Sequence, residues 1–278
     1  MNLSNEERNR ILKKKHQQLY GDWKRKNGPC IICGEGEGNE KDHLPPKVLF
    51  PRSLRSDLTE FFTFPVCSNC NRGSSDEDFL FSVLLSFGLT QESILNNQEP
   101  TDPDLLALYD QAIGHFQNST EAKHRQRLLQ NYIGKDPYSG KAAINIDKLP
   151  INQTTTKIVK SIYWLHTGGD ILQRYNLGWW ILPSIDTSKT HFIEKHLKMT
   201  HAEIQWGDRF ISHFSIGHPE NGVGGFISCS LHFYTKKTVG KGMSWYFIAA
   251  PVKTTINDVS LYELFTSVWG AATIKPRK

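Results

Sequence analysis

Hydrophobic and polar positions alternate with different periods along the chain, and the changes of period divide it. Residues 4–20 are mostly polar, with Ile11, Leu12 and Tyr20 as sparse apolar positions and Ser4 and Glu7 at capping-box spacing, which predicts a polar helix. A glycine-rich stretch, Cys30 to Pro46, follows: Gly34, Gly36 and Gly38 mark tight turns, and Pro45-Pro46 forces extended backbone on both sides. Phe61 to Val66 reads as a strand running into Cys67-Ser68-Asn69-Cys70. Beyond Gly73, Ser74 or Ser75 is placed to cap a helix that opens on Asp76-Glu77-Asp78 and continues from Phe79 to Phe87, its acidic first turn favoured by the helix dipole. The predicted order is strand, strand, helix, with a CxxC at each end of the hairpin.

Residues 90–150 are more polar and predict two helices, Asp104 to Phe116 and Ser119 to Tyr132, then a loop around Pro137 to Pro150. A further helix, Thr154 to His166, gathers Ile158, Val159, Ile162, Tyr163 and Leu165 mostly on one side and ends at Gly168-Gly169. After it the period becomes strand-like: Trp179 to Leu182, Arg209 to Ile216, Phe226 to Tyr234 and Ser244 to Ala250 are short, aromatic and β-branched. Alternation puts Ile227, Cys229, Leu231 and Phe233 on one face, so Cys229 reads as a core residue and not a ligand. The expected fold class is α+β. Its expected parts are a basic helix or arm over 1–27, a small module over 28–90, a helical connection over 91–150, and a mixed or antiparallel β-containing domain over 151–278.

Composition narrows the class. The chain has 278 residues, 38% of them hydrophobic, which suits a folded globular protein. No uninterrupted apolar run approaches the roughly 20 residues that cross a bilayer, and the first residues lack the apolar core of a secretory signal, so no membrane partner and a cytoplasmic location are expected. The net charge of +5 is matched by the surplus in residues 1–26, where Arg8, Arg10, Lys13, Lys14, Lys15, Lys24, Arg25 and Lys26 face Glu6, Glu7 and Asp22. Such an arm attracts phosphate backbones at long range, with Lys13, Lys14 and Lys15 as candidate contacts; a solvated helix face has the same composition.

Four of the five cysteines form two close pairs, Cys30 with Cys33 and Cys67 with Cys70. In a reducing compartment this spacing points to one tetrahedral Zn²⁺ and not to disulfides. A four-thiolate site has no open position, so the zinc is structural, and it staples a segment too small to hold its own shape by apolar burial.

Between the pairs stands Lys41-Asp42-His43-Leu44-Pro45-Pro46, and directly after the second comes Asn71-Arg72-Gly73. Over residues 28–88 the combination CxxC, DHxPP, CxxCN resembles the zinc-stapled HNH (ββα-metal) endonucleases, and the segment from Asn71 is similar to the HNH domain of RNA-guided CRISPR nucleases. That resemblance implies a metal-dependent endonuclease. Asp42 and the Asn71 side-chain oxygen would bind one hard divalent cation, Mg²⁺ or Mn²⁺, and His43 would be the general base. Neighbours on a regular strand point to opposite faces, so Asp42 and His43 are expected to share a site through a bend near Pro45-Pro46. The family's central Asn is missing from residues 53–66, where Asp57, Thr59 or Thr63 could substitute. Asp76, Glu77 and Asp78 either cap their helix or add a ligand, with the cap preferred. Arg72 and Lys47 are candidate phosphate contacts.

The resemblance favours DNA over RNA as partner and implies a role in defence against foreign DNA. It leaves open an activating protein partner or a homo-oligomer. The aromatics Trp164, Trp179, Trp180, Trp206 and Trp245 suit a core, and His191, His196, His201, His213, His218 and His232 lack ligand spacing. A non-catalytic zinc module that binds nucleic acid or protein is the alternative from another class.

Overall fold

A computed structural model describes residues 5–55, 61–114, 120–135, 142–144, 151–172, 177–183, 197–206, 209–219, 226–234, 243–251, 255–256, 259–260 and 273–274. Ser4, Asp57, Thr59, His191 and His196 lie outside them, as do the side chains of Trp179, Trp180, Trp206, Trp245, His201 and His218. Helix α1 (Asn5–Arg25) leads into a hairpin of β1 (Glu40–Leu44) and β2 (Phe62–Val66), paired antiparallel with Asp42 opposite Phe64 and His43 opposite Thr63. Pro45 ends β1, because proline offers no N–H to a ladder. A short helix α2 (Ser68–Gly73) and a long one, α3 (Ser75–Asn96), complete the strand, strand, helix order.

Helix α3 is buried along most of its first three turns, from Asp78 to Ser86. Its serines and threonine stay there because their hydroxyls return to the helix: Ser82 donates to the Phe79 carbonyl at 2.7 Å, Ser86 to Ser82 at 2.9 Å and Thr90 to Ser86 at 2.6 Å. By length and composition the run Ser68–Asn96 also suits a membrane span, contrary to the reading of short apolar runs, and over half of its most apolar window is buried within the protein. That burial accounts for its composition as a core helix.

Helices α4 (Pro103–Gly114) and α5 (Thr120–Gln130) follow, and the connection is not purely helical: β3 (Ile133–Lys135) pairs antiparallel with β4 (Ala142–Ile144). Helix α6 (Ile151–Thr167) buries Ile158, Val159, Ile162, Trp164 and Leu165. It stops at glycines in the left-handed region, Gly168 at φ +80° and Gly169 at φ +114°, with the Gly169 N–H closing on the Trp164 carbonyl at 2.9 Å.

The remaining strands are β5 (Leu177–Pro183), β6 (Leu197–Trp206), β7 (Phe210–Pro219), β8 (Phe226–Phe233), β9 (Met243–Pro251), β10 (Thr255–Ile256), β11 (Val259–Ser260) and β12 (Thr273–Ile274). Six of them form an antiparallel sheet in the order β12-β5-β9-β8-β7-β6, while β10 and β11 form a separate small hairpin. In β8 the expected face is buried, at Ile227, Cys229, Leu231 and Phe233. Phe81 of α3 meets Phe233 at 5.6 Å, so the helices and the sheet share one core. Asp104 of α4 receives two hydrogen bonds from Arg209, which forks onto both carboxylate oxygens at 3.0 and 2.9 Å.

Candidate functional site

The two CxxC turns come together at the base of the β1–β2 hairpin. The four sulfurs of Cys30, Cys33, Cys67 and Cys70 lie within 4.8 Å of one another, with Cys33 and Cys67 3.7 Å apart. Tetrahedral zinc with Zn–S bonds of about 2.3 Å sets its sulfurs roughly 3.8 Å apart, so the spacing fits that ion. Each turn aims backbone amides at its first sulfur: Ile32 and Cys33 at Cys30, at 3.4 and 3.5 Å, and Cys70 at Cys67, at 3.5 Å. A Cβ on Gly36 would stand 3.1 Å from the Cys67 Cβ, which explains a glycine where the turns approach. The four cysteines are positioned to bind one metal ion, as a structural zinc requires. Cys229 is buried in β8 and takes no part.

Strand β1 remains regularly paired through Leu44, without the expected bend. Asp42 and His43 nevertheless border the same open cleft of about 660 Å³, together with Pro46, Lys47, Asn71 and Asp78. No β2 residue lines it. The cleft therefore runs along the edge of β1 that no described strand pairs with, where side chains from both faces of a strand can reach.

His43 is half-buried, and its ring meets Phe61 edge-on at 6.2 Å. Burial lowers its pKa below the ordinary 6.5; Lys47 and Lys157 push the same way, and Asp42 opposes them. The imidazole is therefore neutral at pH 7, the form that can accept a proton. The Asp42 Oδ1 accepts the backbone N–H of His43 at 2.7 Å.

Asn71 lies within α2 beside this pair. Its Nδ2 donates to Glu40 at 2.8 Å, and because a carboxylate can only accept, the amide is fixed with its oxygen as the remaining acceptor. Arg72, 83% exposed at its side chain, lies 3.5 Å from Glu40, and Lys47 is exposed with its ammonium 6.0 Å from the Phe61 ring centre. The lysines expected to act together diverge. Lys13, Lys14 and Lys15 are all exposed, but Lys15 donates to the His166 carbonyl at 3.1 Å, where α6 ends, and Lys13 borders a second groove. Thr63 offers the hairpin a backbone contact: its carbonyl lies 2.6 Å from His16 Nε2.

Sequence reasoning missed the residue at the centre of the site. Lys157 of α6 reaches 2.9 Å from Asp42 Oδ2, forms an ion pair with Asp78, and donates to Ser74 Oγ at 3.0 Å. The Lys157, Asp42 and Asp78 side chains are 7%, 14% and 10% exposed. Burial alone would lower the Lys157 pKa; Asp78 and Asp42 outweigh it and raise the pKa above the ordinary 10.5, so the ammonium stays charged. Thr154 donates to the other Asp78 oxygen at 2.7 Å. Ser74 and Asp78 thus do not serve as a simple helix cap. Ser74 occupies the N-cap position without a side-chain cap bond, and its hydroxyl donates to the Asn71 carbonyl at 3.3 Å. Asp76 lies 3.7 Å from His124.

One turn further along α6, Lys160 donates to the Ile32 carbonyl at 2.6 Å and lies close enough to Cys70, Cys30 and Cys33 for their charges to act on it. Four thiolates around Zn²⁺ carry a net charge of −2, which an adjacent ammonium offsets. A signal was present: Thr154, Lys157 and Ser161 recur at helical spacing inside an apolar segment, and all three are buried. No protein-family model, characterised protein or solved structure matches this chain.

Proposed function

We propose that the chain is a metal-dependent phosphodiesterase of the HNH type that cleaves nucleic acid, DNA in preference to RNA. The observation that carries this reading is the convergence of His43, Asp42 and Asn71 on one cleft beside a four-cysteine cluster that ties both ends of the hairpin. A neutral imidazole at the border of an open cleft is suited to take a proton from an attacking water. Asp42 and Asn71 supply hard oxygen donors of the kind Mg²⁺ or Mn²⁺ prefers. Two carboxylates, Asp42 and Asp78, face one ammonium, Lys157, so a formal negative charge is left to attract a cation. When bound, the cation would supply stabilisation of the charge that develops on the phosphate and leaving oxygen. Lys157 fixes the Asp42 carboxylate from behind, Glu40 fixes the Asn71 amide, and the cysteine cluster fixes the two chain segments that carry them.

One observation favours a second reading, a non-catalytic zinc module for binding nucleic acid or protein. Asp42 is already engaged, Oδ1 by the His43 N–H and Oδ2 by its ion pair with Lys157, as it would be if the residue served structure alone. Incubating zinc-loaded protein with plasmid and with RNA, with and without added Mg²⁺ or Mn²⁺, separates the two. The phosphodiesterase cuts only when the cation is added, and the module leaves both substrates intact in every tube.

A further inference from the structure

Between α1 and the hairpin runs a second groove, of about 330 Å³, bordered by Lys13, Gln17 and Tyr20 of α1, Lys41 of β1, and Phe61 beside β2. Among the described residues no acidic side chain lines it. Lys13 and Lys41 are exposed, and the Lys41 ammonium sits 5.9 Å from the Tyr20 ring centre. Alternation along β1 puts Lys41 and His43 on the same face, opposite Asp42.

Phe61 joins this groove to the cleft. It borders the groove, its ring meets His43 edge-on at 6.2 Å, and Lys47, which lines the cleft, lies 6.0 Å from the same ring. Cations and aromatic rings thus stand side by side along it, Lys41 with Tyr20 in the groove and Lys47 with Phe61 where it meets the imidazole. Lysines spaced along a groove match a phosphate backbone, and half-buried rings that border it match unpaired bases, whose faces a duplex hides by stacking.

We propose that this groove binds a single strand of nucleic acid and leads it to His43. The inference rests on the phosphodiesterase reading for its destination and on the groove's own chemistry for its ligand. A strand laid there contacts Lys13 and Lys41 through its phosphates and Tyr20 and Phe61 through its bases. Its next phosphodiester arrives in the cleft between Lys47 and Asn71.

The test is fluorescence anisotropy on the zinc-loaded 278-residue chain without added divalent cation, so that binding is read without cleavage. The probes are short labelled oligothymidylate and oligouridylate single strands and a blunt DNA duplex of equal length. Both single strands should bind more tightly than the duplex; preference between the two assigns DNA or RNA. Lys13→Glu with Lys41→Glu should weaken single-strand binding at least about tenfold and make its salt dependence shallower, since two phosphate contacts are lost. Tyr20→Leu, which keeps apolar bulk, should weaken it roughly 5- to 150-fold, the range of one lost base stack.

Equal or tighter binding of the duplex, or unchanged single-strand affinity in the charge-reversed variant, overturns the proposal. Zinc content and thermal unfolding of each variant show that the fold is kept. Hydrolysis of bis(p-nitrophenyl) phosphate with Mn²⁺ by the wild-type protein and by His43→Ala reads the chemistry separately. Hydrolysis that depends on His43, without single-strand preference, removes the groove and keeps the phosphodiesterase. Single-strand binding without such hydrolysis keeps the groove as a binding site and removes its destination.

Discussion

Replacing Lys157 with Met tests how the site is held together. The change keeps most of the side chain's length and removes the ammonium that Asp42 and Asp78 share, leaving two carboxylates that are 14% and 10% exposed. Ser74 Oγ loses its donor as well. Breaking a buried ion pair from one side typically costs about 3–5 kcal/mol, because the remaining charge is stranded away from water. For a domain stable by about 5–15 kcal/mol this is a large fraction. Urea denaturation of zinc-loaded protein at pH 7 should show a lower midpoint with an unchanged slope. Adding Asp78→Asn to Lys157→Met removes one stranded charge, so the double variant should regain about 1–3 kcal/mol of the loss, the usual coupling between residues in contact. A Lys157→Met protein within about 1 kcal/mol of wild type, or a double variant whose two losses simply add, would refute this account of the buried trio.

Cys67→Ser should lower zinc content below one ion per chain and unfold the hairpin module, which elemental analysis and circular dichroism would show; full zinc with native structure would count against the four-cysteine site. His166 gives a pH prediction. Burial, aided by Lys15, lowers its pKa to about 4 from 6.5, and its ring stacks on Phe214 at 5.5 Å. The unfolded chain therefore binds more protons between those values, so the His166 contribution is whole above pH 6.5 and is lost as pH falls towards about 4, by up to about 3 kcal/mol. His166→Phe keeps the stack and should flatten the fall in melting temperature over that window. A parallel fall in wild type and variant would assign the acid sensitivity to other groups, such as the thiolates.

The parts of the fold written in local signals were legible in the sequence. The CxxC turns, the strand from Phe61, the α6 stop at Gly168-Gly169 and the buried face of β8 each follow from a period or a turn residue whose meaning does not depend on distant neighbours. Strand β6 was passed over because neither of its alternating faces is uniformly apolar, as befits an outer strand of the six-stranded sheet. Lys157 was passed over for a different reason. A lysine in an amphipathic helix ordinarily reads as a solvated charge, and what makes this one interior is a pair of carboxylates that folding brings from β1 and α3. The bend expected at Asp42-His43 was a one-strand argument. In the fold, the edge of β1 that no described strand pairs with lets both faces border the cleft. Acidic residues at the start of α3 suggested a cap, and the depth of Asp78 came from the packing of α6 against that turn.

The central claim is that His43 is a base and that Asp42 and Asn71 are cation ligands. It is tested most directly by measuring single-turnover DNA cleavage and Mn²⁺ affinity together in His43→Ala, Asp42→Ala and Asn71→Ala. His43→Ala should lose about 10²–10⁴-fold in rate with Mn²⁺ affinity nearly unchanged, since a general base contributes that much and holds no metal. Asp42→Ala and Asn71→Ala should lose rate and Mn²⁺ affinity together, each having given up an oxygen donor. All three should keep their zinc, because the cysteines are untouched. Cleavage by His43→Ala at the wild-type rate, in preparations where Asn71→Ala is inactive, would contradict the assignment of the base. Wild-type cleavage by all three would contradict the phosphodiesterase site as a whole.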